Sequence, residues 1–193
     1  MTSRPRRDDV RAAILDAALK RFSSHGYELT SLAAVAADAG FTKGAIYSNF
    51  GGKPELFAAV SGELVAATGS DLVWRAMDAR NTGPGARDTI AAAMASAIVE
   101  VAPMQLALAE FRRLATKDET VRATYGAMRD RQRRALADRL AEAGLVAATE
   151  ALVVAVMLLA LVNQLCLEHA ADPGTTPESL IRQTLTRALE GLL

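Results

Sequence analysis

The feature of this 193-residue chain that most restricts its fold is Gly40, which stands between two short helix-forming runs in TSLAAVAADAGFTKGAIYSNFGGK, residues 30 to 53. Glycine takes a positive φ without strain, so the chain can reverse there sharply enough for one helix to cross the next. Thr30 or Ser31 can cap a first helix whose inner residues are Leu32, Val35, Ala36 and Ala39. Phe41 plugs the corner. Thr42 caps a second helix, Lys43 to about Ser48, with Ile46 inward and Lys43, Gly44, Ala45, Tyr47 and Asn49 outward. The pattern reads as a helix-turn-helix. Its second helix is small-surfaced at Gly44 and Ala45 and polar around them, which suits close approach to base edges in a groove about 12 Å wide.

The rest of the chain points to an all-α protein. Hydrophobic residues make up 51% but aromatic ones only 5%, and Ala, Leu and Val supply most of the rest, a mixture favouring helix over strand. No sustained period-two alternation marks a sheet. A first helix near 8–24 places Ile14, Ala18 and Phe22 on one face beside Leu15, and His25-Gly26 ends it. After the helices near 31–38 and 42–48, further helices are predicted near 54–80, 87–101, 104–115, 119–143, 149–171 and 177–192, about nine in total. The loop NTGPGA, residues 81–86, is the clearest break. A small three-helix head over 1–53 and a larger helical-bundle body over 54–193 follow. Within the body, residues 151–162 (ALVVAVMLLALV) are apolar all round, too short a run for a membrane span of about 20 residues. They predict a helix buried on every side. Ile181, Leu185, Ala188 and Leu192 form a stripe on the last helix, so the helices near 149–171 and 177–192 are expected to pair with a second copy.

Net charge is formally zero, so distribution matters more than total. Residues 1–60 hold eight basic groups against six acidic ones, a balance of +2. The run from Leu29 to Phe57, with its central AxxAGFTKGAIYSNFGGKPEL, resembles the signature of the TetR family of transcriptional regulators. The resemblance implies a recognition helix over 42–48, a Tyr47 that touches a DNA phosphate, and a phosphate-contacting Lys53 at the start of the next helix. A helix amino terminus already favours anions, and a lysine there adds a full charge. The expected contacts with double-stranded operator DNA are Thr30, Thr42, Lys43, Gly44, Ala45, Tyr47, Ser48, Asn49 and Lys53. Asn49 stands where the family often has His or another polar residue. Arg4, Arg6 and Arg7 could form a minor-groove arm or a solubilising tail, and the basic run Arg129, Arg131, Arg133, Arg134 and Arg139 is expected to be a solvated helix face.

The resemblance also implies a body that dimerises and holds a small, apolar effector. Trp74, Met94, Met104, Leu108, Phe111, Tyr125, Met128 and Met157 are candidates to line its cavity, since Met adapts to apolar ligands, with plain core packing as the alternative for each. Glu110 and Asn163 are candidates to orient the ligand. Catalysis lacks its usual pieces: neither His25 nor His169 has an acidic residue three positions before it, as a di-iron bundle needs. Cys166 and His169 make at most half a metal site, and FGGKPE lacks the glycine and hydroxyl residue of a phosphate loop. No cofactor, metal or catalytic residue is therefore expected. The absence of a signal-peptide run and the single cysteine suggest a cytoplasmic protein. The expected function is a ligand-released repressor that binds a pseudo-palindromic operator as a homodimer, with a helical carrier that ignores DNA as the rival.

Overall fold

A computed structural model describes residues 6–80 and 86–192, with side chains over 6–66 and 88–191. Its eight helices are α1 (Arg7–Leu29), α2 (Leu32–Asp38), α3 (Lys43–Phe50), α4 (Lys53–Arg80), α5 (Ala86–Ala115), α6 (Glu119–Glu142), α7 (Ala151–Ala171) and α8 (Glu178–Leu192). No strand occurs among the described residues. Most of the break at NTGPGA lies outside them.

Eight helices replace nine because α5 runs unbroken through Pro103. A helix-interior proline forfeits a hydrogen bond and costs ~3 kcal/mol. Here its ring faces solvent, while Ala102, Met104 and Ala107 on either side are buried, and their packing outweighs the local penalty. α1 likewise continues past the expected stop at His25-Gly26: Gly26 is non-helical, with φ 76° and ψ 179°, and a further helical turn reaches Leu29.

Two compact units emerge. The first holds the chain up to Glu63 together with Leu106–Met128, more than the expected 1–53 head. Aromatic packing explains the extra chain. Phe57 meets Phe22 at 4.9 Å and Tyr27 at 5.1 Å between ring centroids, and Phe111 lies 4.8 Å from both Tyr27 and Phe57. Ile14, Leu15 and Ala18 are buried as their stripe requires.

The second unit comprises Leu64–Gln105 and Arg129–Leu193. Its core is aliphatic, joining Met94, Ile98 and Ala102 to Leu140, Val154, Leu158 and Leu185. Two expectations fail here. The α8 stripe is not free for a partner: Ile181 and Leu185 are fully buried in this unit's own core. Nor is α7 buried on every side, because Leu152, Val153, Val156 and Met157 are exposed, Val153 by 62%. A single layer of neighbours covers only one face of a helix, and the all-apolar run leaves its other face bare. At 21 residues and mean hydropathy 2.2, α7 is long and apolar enough to cross a membrane by length and composition, as is Asp88–Ala115. One third of the α7 stretch and half of the other are buried within the protein.

Candidate nucleic-acid interface

The helix-turn-helix is assembled by caps. Ser31, not Thr30, caps α2, its Oγ accepting from Ala34 N at 3.1 Å. At the other end Phe41 N donates to Ala36 O at 2.9 Å and Gly40 N to Ala37 O at 3.1 Å. This pair of bonds closes a helix around a left-handed residue, and Gly40 has φ 74°. Thr42 then caps α3, its Oγ1 accepting from Ala45 N at 3.3 Å. Ile46 is fully buried and anchors α3. An ion pair ties α1 to α2: Arg21 Nη2 donates to Asp38 Oδ1 at 2.9 Å while its Nε donates to the other oxygen. That hydrogen bonding draws the Asp38 pKa down and raises that of Arg21.

What α3 leaves uncovered is Lys43, Gly44, Tyr47 and Ser48, with Thr42 beside them. Tyr47 is 52% exposed. A Cβ added to Gly44 would meet only Thr42 Oγ1, at an ordinary 3.6 Å. Nothing inside the chain demands a glycine there, so the flat surface has no packing role. Ala45 is half-buried, its carbonyl accepting from both Ser48 Oγ at 3.0 Å and Asn49 Nδ2 at 2.7 Å. Asn49 is thereby turned back onto its own helix with its Oδ1 buried, rather than facing outward as expected.

Thr30 is also displaced from its expected role. It is 3% exposed, and its Oγ1 lies 2.7 Å from Gly26 O and 3.2 Å from Arg21 O. It fastens the end of α1 and offers no surface. Arg6 and Arg7 are exposed at the start of α1, and Arg4 lies outside the described residues. The basic run of α6 is not uniformly solvated: Arg129 is buried and donates to Gln132 Oε1 at 2.9 Å, and Arg139 Nη1 reaches Ala66 O at 3.0 Å.

Lys53 opens α4, but its ammonium is not idle. Nζ donates to Glu28 O at 3.1 Å and sits 4.4 Å from the centroid of the Tyr27 ring. Burial lowers its pKa, against the raising influence of the Glu110 and Glu28 carboxylates. Glu28 is held in turn by α5: its amide donates to Glu110 Oε2 at 2.8 Å, and its carboxylate pairs with Arg113. From the sequence Glu110 is only a candidate to orient a ligand, Gly26 only the stop of the first helix, and Arg113 carries no role. Contacts 82 and 85 residues apart leave no local trace.

The eight cavity candidates are not brought together in one unit. Leu108, Phe111, Tyr125 and Met128 belong to the first, Met94, Met104 and Met157 to the second, and the Trp74 side chain lies outside the described residues. Phe111 is part of the aromatic core, whereas Met157 is 48% exposed. Asn163 is half-buried on α7. None of the candidates lines the open, polar cleft of about 680 Å³ formed by Asp88, Arg182, Gln183, Thr186, Arg187 and Glu190. The Cys166 thiol, pushed up to about 12 by burial, faces Ile98 O at 3.8 Å, while His169 Nδ1 bonds Thr176 O at 2.9 Å. Among the described residues no three His, Cys, Asp or Glu side chains gather as a metal site.

A capped, crossed helix pair with one small, cationic face is a helix-turn-helix of the DNA-binding regulator class. Residues 14–60 match the bacterial regulatory proteins of the tetR family. The head of the chain is thus similar to the DNA-binding domain of TetR-family transcriptional regulators. It is 46% identical over 52 residues to the HTH-type transcriptional regulator AcrR of Shigella flexneri, a stretch covering 27% of this chain and 24% of that protein. Over whole chains the fold is similar to that of a Rhodococcus sp. protein assigned to the TetR family, at 20% identity and a TM-score of 0.68, with 96% of this chain and 98% of that one covered. It is also similar to SmeT, the repressor of the Stenotrophomonas maltophilia multidrug efflux pump SmeDEF, at 23% identity and a TM-score of 0.58 over 95% and 91% of the two chains. These relatives are regulators rather than enzymes.

Proposed function

We propose that the chain is a cytoplasmic repressor that binds a pseudo-palindromic operator as a homodimer and is released by a small apolar ligand. The observation that carries the DNA reading is the free face of α3, where Lys43, Gly44 and Tyr47 lie together and the glycine has no packing reason to be one. Thr42, Lys43, Gly44, Ala45, Tyr47 and Ser48 meet the groove, with Lys53 at a phosphate. Thr30 is left out because it is buried, and Asn49 because its amide is spent on Ala45 O. Support for a second copy comes from the bare apolar strip of α7, for which an identical strip is the natural cover. Two heads would then enter successive major grooves with half-sites ~34 Å apart. Repression is the role printed for SmeT. A ligand held in the 54–193 body releases DNA to the extent that it prefers a dimer whose heads are wrongly spaced.

The test is to select bound fragments from sheared genomic DNA, sequence them, and measure filter binding across a salt series. A steep fall of affinity with salt supports the reading, since phosphate contacts release counterions; no specific fragment at any salt would leave a DNA-free carrier instead. Tyr47→Ala and Lys53→Ala should each weaken binding roughly tenfold without loss of helix content by circular dichroism. Wild-type affinity in both would remove the assigned interface.

A further inference from the structure

We propose that Glu110 is a positioning residue for the DNA interface, holding the Gly26–Glu28 turn so that the Glu28 carbonyl aims the Lys53 ammonium. The inference rests on the reading of Lys53 as a phosphate ligand. Glu110 and Arg113 are three apart on α5, hence neighbours on one helix face, and both grip Glu28. Glu110 receives its amide at 2.8 Å and Arg113 pairs with its carboxylate. The remaining polar group of that residue, its carbonyl, is the one that accepts from Lys53 Nζ at 3.1 Å. The preceding residue, Tyr27, places its ring 4.4 Å from the same ammonium. Both groups that fix Lys53 therefore belong to the turn that α5 holds.

The turn is built for this carboxylate. Gly26 has φ +76°, and a Cβ there would lie 2.5 Å from Glu110 Oε1 and 2.9 Å from Oε2. An ordinary residue would be strained by its own backbone and would expel the acid. An ammonium has three donors; the carbonyl takes one and leaves the others for a phosphate. A free lysine loses much rotamer entropy when it is pinned, so a side chain fixed before DNA arrives binds at lower cost. The same carboxylates could instead compete with phosphate for Lys53. The two roles differ in sign: positioning makes loss of Glu110 weaken binding, and competition makes it tighten binding.

The experiment measures affinity of the full chain for the duplex recovered in the genomic selection, across a salt series. The variants are Glu110→Ala, Glu110→Gln, Lys53→Ala and the double variant Glu110→Ala/Lys53→Ala. Positioning predicts that Glu110→Ala weakens binding roughly three- to tenfold, and that Glu110→Gln, which keeps an acceptor for the Glu28 amide, restores most of it. The double variant should bind no worse than Lys53→Ala alone, since Glu110 acts through that lysine. Lys53→Ala should lower the salt slope by about one per protomer, and Glu110→Ala should move it toward that value. Additive losses, an unchanged slope, or tighter binding by Glu110→Ala would overturn the inference. If Glu110→Ala unfolds the head at assay temperature, Arg113→Ala, made from an exposed position, reads the same coupling in the same Lys53→Ala cycle, with additivity again the refuting result. Wild-type affinity in Lys53→Ala sinks the phosphate reading itself. A weakened Lys53→Ala beside unchanged Glu110→Ala and Arg113→Ala sinks only the positioning role.

Discussion

Helices α3 and α7 both leave a face uncovered by their own chain, and the chemistry of the two faces is opposite. α3 is 8 residues long, buries Ile46 and exposes a lysine, a glycine and a tyrosine. α7 is 21 residues long and exposes Leu152, Val153, Val156 and Met157, spaced so that they fall on one side. A polar face can rest in water between binding events, so a partner for α3 can come and go. An apolar face exposed as a strip favours a lasting cover. On the reading proposed above, the contrast gives α3 a charged, hydrated partner and α7 another apolar surface.

The most damaging break in this comparison should be a charge on the bare strip of α7. Val153→Glu with Met157→Glu is expected to turn dimers into monomers at micromolar concentration by sedimentation, and to cut operator affinity at least a hundredfold, because carboxylates at a closed apolar contact are buried unpaired. A dimer that survives with wild-type DNA affinity would move the partner surface elsewhere. Gly40→Ala attacks α3 through the turn that aims it. No atom stands within 4 Å of the added methyl, but φ is +74°, so the backbone alone should cost about 1–2 kcal/mol in a urea melt.

Smaller effects sharpen the boundary of the α3 face. Thr30→Val removes the hydroxyl that donates to the α1 carbonyls, Gly26 O above all, and should cost about 1 kcal/mol of stability, while the salt slope of DNA binding stays at the wild-type value. A lowered slope would return Thr30 to the interface. The weakest effect belongs to the Arg21–Asp38 pair. Arg21 holds the Asp38 carboxyl below its ordinary range, so the pair stabilises the fold above about pH 4, the unfolded value, and that contribution is lost as pH falls through the lower folded value. Asp38→Asn should therefore lower the urea midpoint slightly at pH 7 and flatten the decline on acidification. An unchanged acid limb would deny the pair any role in orienting α2 beneath α3.

Features governed by short-range rules were legible in the sequence. Gly40, the Thr42 cap, the inward Ile46 and the stripe of α1 depend on residues within a turn of one another, and each takes its expected place. Features that needed a distant partner were not. The engagement of Lys53 with Glu28 and the grip of Glu110 and Arg113 arise from packing between helices remote in sequence. Pro103 misled because its local penalty is legible and the burial that offsets it is not.

The sequence by itself determined a helix-turn-helix at residues 30–53, because caps, glycine φ and helical period are local energies carried by neighbouring residues. Only the tertiary structure decided which of those residues remain available. It closed Thr30 inside the head, set Lys53 against a carbonyl and a ring, buried the stripe of α8 and left one face of α7 bare. The reason is that availability is what remains after packing has chosen which faces to cover, and hydrophobic pattern alone does not say which of two apolar helices is covered first.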